Sequence, residues 1–133
     1  MRVMLDTNII ISAYVLKSRM MIELTERLAS KYSLVLCSYI IDELRDVIKR
    51  KFPAKIMELE KILIETPFEY ILTPQTLPKH NLFSICDEDD EKILYSAILA
   101  DVDILVTGDK DYFSGVEIER PEILTPKDFL QKY

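Results

Sequence analysis

Acidic residues at four separate points of the chain are the side chains best suited to carry chemistry. The stretch SICDEDDEKIL is acidic at every position from 87 to 91. Asp6 ends the apolar run RVMLD, Asp109 ends DILVTGD, and Glu43 lies in a segment of helical periodicity. Carboxylates that converge repel one another and raise each other's pKa, and a bound divalent cation relieves this repulsion. The acids therefore raise the hypothesis of a cation site.

Oxygen ligands without a His or Cys cluster favour Mg²⁺ or Mn²⁺. The chain has one histidine, and its two cysteines, Cys37 and Cys86, do not have the spacing of metal ligands. We interpret both cysteines as reduced, buried thiols of a cytoplasmic protein. A hard divalent ion would polarise a phosphodiester and lower the pKa of a bound water for in-line attack.

Apolar runs and helical periodicities alternate along the chain, which predicts an α/β fold around a mostly parallel sheet. The predicted strands are residues 2–6, 32–38 and 103–109, with weaker strands at 68–74 and within 116–124. The predicted helices are one within residues 9–31, then 39–52, 54–66, 87–100 and a C-terminal helix capped near Thr125-Pro126.

Length and charge limit the class of protein. With 133 residues, 49% of them hydrophobic, we expect one domain over residues 1–133. No apolar run approaches the ~20 residues that cross a bilayer, and the acid at position 6 argues against a signal peptide. The net charge of −6 argues against a broad basic nucleic-acid surface. It leaves room for a small acidic site that binds phosphate through a metal.

Two of the candidate acids end predicted strands. In an open parallel sheet, binding sites form beyond the carboxyl ends of the strands. Asp6 and Asp109 should therefore lie at the same edge of the sheet.

The periodicity of residues 87–100 selects one acid of the acidic run. At about 100° per residue, Asp90 falls on the apolar stripe of the predicted helix, Glu91 lies at its margin, and Glu88 and Asp89 point away. The stripe consists of Ile93, Leu94, Ala97 and Ile98. We expect most of the run to be a solvated helix start, with Asp90 facing inward.

Glu43 is the weaker candidate. The predicted helix 39–52 places it at the margin of the apolar face, and Asp42 and Asp46 lie on the opposite, solvated side. That apolar face consists of Ile40, Ile41, Leu44, Val47 and Ile48. Glu43 is thus the only acid of this helix able to turn toward the sheet edge, although such a residue is more often a surface residue.

Three stretches together resemble the PIN-domain family of metal-dependent ribonucleases. They are VMLDTNIIISA, LCSYIIDELRDVIKRKF and DEDDEKILYSAILADVDILVTGDKDYF, which stand in the family's order and cover nearly half of the chain. The sequence is most similar to the VapC-like branch, the toxins of toxin–antitoxin pairs. The resemblance implies a three-layer α/β/α fold, Mg²⁺ or Mn²⁺ as cofactor, RNA as substrate and a small antitoxin protein as partner.

The resemblance also implies roles for single residues. The catalytic and metal-binding acids would be Asp6, Glu43, Asp90 and Asp109. Asn8 in LDTN and Thr107 in VTGD match supporting polar positions. The acidic run is longer than the family pattern needs, so Asp89 or Glu91 is an alternative to Asp90.

Three functions stay open at this point. The first is a toxin endoribonuclease that hydrolyses RNA phosphodiester bonds with metal-activated water. The second is an RNA-processing or RNA quality-control nuclease that is not a toxin. The third is a catalytically inactive module that binds nucleic acid or protein. A phosphatase of the haloacid dehalogenase type is disfavoured, because Asn8 stands where that mechanism needs an acid.

Two further features concern association. Lys49, Arg50 and Lys51 form a basic cluster, which is either a solvated helix end or a set of RNA-backbone contacts. The predicted helix 54–66 is apolar over a wide arc, which predicts a homodimer unless the C-terminal helix covers that face.

Overall fold

The computed structural model describes residues 1–75, 88–108 and 118–133, and for residues 88–90 it describes the backbone. Within these ranges the elements are β1 (Arg2–Leu5), α1 (Thr7–Tyr14), α2 (Arg19–Lys31), β2 (Ser33–Cys37), α3 (Ser38–Lys51), a 3₁₀ turn (Pro53–Lys55), α4 (Ile56–Glu65), β3 (Glu69–Ile71), α5 (Glu88–Leu99), β4 (Ile104–Val106), β5 (Glu122–Leu124) and α6 (Pro126–Lys132).

The five strands form one sheet in the order β3-β2-β1-β4-β5, and each neighbouring pair is parallel. Parallel strands joined through helices are the α/β architecture that the sequence predicts. Past the end of β1, the Asp6 N–H donates to the Val106 carbonyl at 3.0 Å, and the Thr107 N–H donates to the Leu124 carbonyl at 2.9 Å. These bonds fix the relative positions of three neighbouring strand ends.

The central strands are buried on both faces. Val3, Met4 and Leu5 are consecutive and at most 1% exposed, although consecutive strand residues point to opposite faces. Helices must therefore cover both sides of the sheet, which confirms the three-layer α/β/α fold and explains why these strands read as unbroken apolar runs. Cys37, at the end of β2, is a buried free thiol as expected, whereas Cys86 lies outside the described residues.

The segment predicted as one helix within residues 9–31 forms two helices, so this prediction was wrong. α1 begins at once after Asp6, and the chain breaks between Tyr14 and Arg19. The break is a helix end: the Val15 N–H donates to the Ile11 carbonyl at 2.9 Å, and Lys17 adopts a left-handed φ of 56°. A lysine in this conformation gives no sequence signal, because glycine or asparagine normally fills it.

The predicted helices 39–52 and 54–66 correspond to α3 and α4, separated at Pro53. An ion pair joins them, since the Arg45 Nε lies 2.8 Å from the Glu60 Oε1. The hydrogen bond from Arg45 lowers the pKa of the Glu60 carboxyl below its ordinary value. Asp42 and Asp46 are exposed, as the helical periodicity predicted.

The C-terminal helix begins as predicted, because the Thr125 hydroxyl accepts a hydrogen bond from the Asp128 N–H at 3.1 Å. α6 packs on α2 and β5, where Phe129 makes an edge-on ring contact with Tyr32. It leaves the outer face of α4 uncovered, so the suggestion that this helix covers that face was wrong. No helix in the described ranges is long and apolar enough to span a membrane.

Candidate functional site

The order of the strands creates a crevice between β1 and β4. From β1 the chain proceeds outward to β2 and β3, whereas β4 and β5 lie on the other side of β1. In open α/β sheets, ligands bind at such a switch point, outside the carboxyl ends of the two strands that flank it. The residues directly after these two strands are Asp6 and Thr107.

Asp6 directs its carboxylate into this switch point and not onto the helix that it precedes. Asp6 is the N-cap residue of α1, yet its side chain makes no capping hydrogen bond. Its Oδ2 instead accepts a hydrogen bond of 3.1 Å from the Thr107 hydroxyl. The interpretation of Asp6 as an ordinary helix cap therefore fails.

Thr107 is held firmly enough to orient this carboxylate. The residue is 2% exposed, and its N–H is bonded to the Leu124 carbonyl of β5 at 2.9 Å. The bond from Thr107 therefore restrains the orientation of the Asp6 carboxylate at the end of β1.

Thr7 is a buried polar residue at this edge that the sequence did not reveal. It is the first residue of α1, it is fully buried, and its hydroxyl has no hydrogen-bond partner among the residues the structure describes. The only sequence signal for Thr7 is its place in the motif LDTN, in which the sequence analysis assigned roles to Asp6 and Asn8 alone. Asn8 itself is exposed, in the first turn of α1.

Glu43 projects from α3, whose first turn is anchored to the chain after β3. The Ser38 hydroxyl accepts a hydrogen bond from the Thr73 N–H at 2.9 Å, and the Tyr39 N–H donates to the Thr73 hydroxyl at 3.0 Å. This reciprocal pair satisfies a backbone donor that a helix start leaves unpaired. Glu43, four residues after Tyr39, is half-buried, which agrees with a position at the margin of the apolar face.

Asp90 lies in the first turn of α5, and its side chain is outside the description. Its place on the helix is nevertheless informative, because Ile93 and Leu94 follow it by three and four residues and are 3% and 0% exposed. The apolar stripe used to orient Asp90 is thus real. Glu91 is half-buried. The side chains of Asp89 and Asp90 lie outside the description, so the orientations given to them remain predictions.

Asp109 lies outside the described residues, which reach Gly108 on this side of the gap. Within those residues, no three His, Cys, Asp or Glu side chains are grouped so that they could hold a metal ion. Only Asp6 and Glu43 of the four candidate acids have described side chains. The donor chemistry at the switch point suits a hard cation, because the Asp6 carboxylate supplies oxygen ligands there.

The basic cluster Lys49, Arg50 and Lys51 occupies the last turn of α3 and is exposed. α3 starts at the carboxyl edge of the sheet, and its axis rises about 1.5 Å per residue. The cluster therefore lies roughly 17 to 20 Å along the helix from the edge where Asp6 is found.

An apolar cavity of about 430 Å³ lies between α2 and α4. Leu5, Leu34 and Leu36 contribute the sheet side of its lining, and the helices contribute residues such as Leu28 and Leu63. α4 also presents Met57 and Ile64 to solvent, at 81% and 83% exposure. Apolar surface of this extent is typical of an interaction site.

The family model for the PIN domain matches residues 2–111. No curated protein matches the chain in sequence. In fold, the chain is similar to a chain in the crystal structure of VapBC2 from Rickettsia felis bound to a DNA fragment from their promoter. The TM-score is 0.69 at 20% sequence identity, and the match covers 93% of this chain and 97% of that chain.

A second similar fold is found in the crystal structure of DNA-bound VapBC from Salmonella typhimurium. The TM-score is 0.69 at 18% identity, and the match covers 95% of this chain and 98% of that chain. At these identities the two similarities establish the fold alone. The parallel sheet covered by helices on both faces is in agreement with that fold.

Proposed function

Because the chain belongs to the PIN domain family, we propose that it is a divalent-metal-dependent endoribonuclease that hydrolyses RNA phosphodiester bonds. PIN domains are generally nucleases that use divalent metals. The observation that carries the proposal is the Asp6 carboxylate, which makes no capping bond to α1 and accepts a hydrogen bond from Thr107 at the switch point of the sheet. A carboxylate oriented in this way is suited to a metal ligand.

The proposed ligands of Mg²⁺ or Mn²⁺ are Asp6, Glu43, Asp90 and Asp109. The ion would polarise the scissile phosphate and lower the pKa of the attacking water. The chain's own contribution is orientation. Thr107 sets the angle of the Asp6 carboxylate, and the anchored first turn of α3 fixes the height of Glu43 above the sheet. Asn8, exposed beside Asp6, is proposed as a supporting polar contact.

We further propose that this nuclease is the toxin of a toxin–antitoxin pair in the cytoplasm. The two solved structures compared above are of VapBC2 and VapBC, and the apolar cavity between α2 and α4 offers a surface for a small protein partner. The groups that line this cavity are mainly aliphatic, so an amphipathic segment of the antitoxin would fit it. Coexpression with the product of an adjacent small open reading frame tests this role. A stable complex with loss of RNA cleavage is expected, and unimpaired cleavage in its presence would favour the RNA-processing alternative.

The nuclease activity is tested by incubating the protein with RNA in Mn²⁺ and in EDTA. Cleavage in Mn²⁺ that EDTA stops, and that Asp6→Asn abolishes, is the expected result. Asp42→Asn is the matched control, because Asp42 is an exposed acid on the solvated side of α3. RNA binding with no cleavage in either condition would favour the inactive binding module.

A further inference from the structure

α4 is an apolar helix that buries little of its apolar surface. Six of its ten residues are apolar, yet Leu59 is the one buried residue of this helix. The preceding helix α3 buries four side chains, Ile40, Ile41, Leu44 and Ile48. A helix of this length is marginal in water without tertiary packing. α4 is therefore held less firmly than the helix it follows.

The inner face of α4 borders the apolar cavity of about 430 Å³. Ile62 and Leu63 line the cavity from α4 and are half-buried, and Leu34 and Leu36 line it from the sheet. Apolar side chains on opposite walls of a cavity lack the dispersion contacts that a densely packed interior provides. An inward movement of α4 or an apolar occupant would supply these contacts.

Two ion pairs attach α4 to its neighbours. Glu60 is paired with Arg45 of α3 at 2.8 Å, and Glu58 is paired with Lys17, between α1 and α2, at 3.3 Å. All four side chains are accessible to solvent. Such pairs contribute little to stability, because water and salt screen both charges. They orient α4 but oppose its movement only weakly.

The chain leaves the helical conformation at both ends of the segment that contains α4. Phe52, at the end of α3, has φ −137° and ψ 57° and is followed by the 3₁₀ turn that starts at Pro53. At the other end, Thr66 is extended and precedes Pro67. Hinges lie at such element ends, where a few residues absorb a change in backbone torsion angles. α4 can therefore pivot as a unit without disrupting α3 or β3.

We propose that α4 is a hinged lid over the apolar cavity, which opens to admit an apolar segment of the partner protein and closes on it. Segments with few buried apolar contacts open at a lower free energy than the rest of a fold. An occupant that packs against Ile62 and Leu63 shifts the equilibrium toward the closed lid. The identity of the partner rests on the proposed function, whereas the movement of α4 does not depend on nuclease activity.

Hydrogen exchange of the whole chain, followed by mass spectrometry, tests the movement. The amides of α4 should exchange roughly tenfold or more faster than those of α3. N-phenyl-1-naphthylamine, a neutral apolar fluorophore, serves as the probe of the cavity, and its binding should slow the exchange of α4. Measurement at two protein concentrations separates this effect from protection of the outer face by a second copy, which rises with concentration. Exchange of α4 as slow as that of α3 would overturn the lid.

Substitutions that fill the cavity test its part in the movement. Leu63→Phe should slow the exchange of α4, raise the melting temperature by about 2 to 5 °C and weaken binding of the probe by roughly tenfold. Leu99→Phe is the matched control, because Leu99 is largely exposed at the end of α5 and should change none of the three. Ala29→Leu, which adds volume from the α2 wall, gives the same test if Leu63→Phe does not fold.

The outcomes separate the lid from the proposed nuclease. Probe binding and α4 exchange that both cavity variants leave unchanged would overturn the lid, even in a protein that cleaves RNA. A rapidly exchanging α4 that the probe protects, in a protein that never cleaves RNA, would support the lid and reject the nuclease. In the complex with the partner, protection of α4 is expected, and exchange as fast as in the free chain would overturn its closure on the partner.

Discussion

The Thr107 hydroxyl donates a hydrogen bond of 3.1 Å to the Asp6 Oδ2, across the boundary between β1 and β4. The two residues are 101 positions apart in the chain, and each directly follows a strand of the parallel sheet. The bond links the first candidate ligand to the strand that leads toward the last one, Asp109.

Replacing Thr107 by valine should impair catalysis more than stability. Valine keeps the shape of the buried side chain and removes the hydroxyl that orients Asp6. Partners of metal ligands typically contribute 10- to 100-fold to metal affinity or activity. We expect Thr107→Val to lower RNA cleavage by about tenfold or more and to raise the Mn²⁺ concentration needed for half-maximal rate. Thr107→Ser, which keeps the hydroxyl, should stay close to wild type. Equal activity in both variants would show that the bond does not position Asp6.

The orientation of α5 makes a prediction about the acidic run. Asp90→Asn should abolish cleavage, whereas Glu88→Gln and Asp89→Asn should retain most of it, because only Asp90 lies in line with Ile93 and Leu94. Asp90→Asn should also raise the melting temperature in EDTA, since one repelling charge is removed, and should diminish the stabilisation that Mn²⁺ gives the wild type. Equal loss of activity in all three variants would reject the assignment by helical face. Loss of activity only in Asp89→Asn or only in Glu91→Gln would assign the role of metal ligand to the replaced residue.

The sequence predicted the parts of this architecture that local patterns determine. β1, β2 and β4 are unbroken apolar runs because both of their faces are buried, and Pro53 and Thr125 marked the end and the start of helices. The rule that binding sites form beyond the carboxyl ends of parallel strands was enough to predict that the residues following β1 and β4 lie at the same edge of the sheet.

Other features depend on tertiary contacts or unusual backbone. Nothing local indicated that β4 lies beside β1, so the bond from Thr107 to Asp6 was not predictable even though both residues were selected. The break at Lys17 was missed because a left-handed lysine carries no signal. The buried hydroxyl of Thr7 was missed because a threonine at a helix start is usually solvated.

Association through α4 is a separate prediction. Met57 and Ile64 are seven residues apart, so they lie on the same face of α4, two turns apart, and both are largely exposed. We propose that this face forms a homodimer. Sedimentation equilibrium at micromolar concentration should give twice the chain mass for the wild type and a monomer for the double variant Met57→Glu, Ile64→Glu.

Leu99→Glu is the matched control for this variant, because Leu99 is 61% exposed at the end of α5 and should leave the dimer intact. A wild type that sediments as a monomer at every concentration would end the dimer proposal.

In the dimer, the clusters Lys49, Arg50 and Lys51 are proposed to contact the RNA backbone. Unchanged RNA affinity and salt slope after charge reversal at Lys49 and Lys51 would remove them from that role.

The ion pair between α3 and α4 predicts a small pH dependence of stability. The hydrogen bond from Arg45 holds the pKa of Glu60 below its ordinary value. Its stabilisation is therefore present above the carboxyl's unfolded pKa of about 4.3 and is lost as the pH falls through the lower folded pKa. Because the pair is solvent-exposed, Glu60→Gln should lower the free energy of unfolding at pH 7 by less than about 1 kcal/mol.

Urea denaturation at pH 7 and at pH 3 measures this effect. The difference between Glu60→Gln and wild type should shrink at pH 3, and Glu65→Gln, at the exposed end of α4, should show little effect at either pH. An undiminished difference at pH 3 would mean that the charge of Glu60 is not what stabilises the contact.

The central claim is that acids from four separate parts of the chain form one divalent-metal site at the switch point of the sheet. Anomalous diffraction from crystals soaked in Mn²⁺ tests it most directly. The predicted result is a manganese peak bounded by the carboxylates of Asp6, Asp90 and Asp109, with Glu43 at its margin, and no peak at this place in crystals of Asp6→Asn. Manganese bound only at another cluster of acids, with none beside Asp6, would contradict the claim.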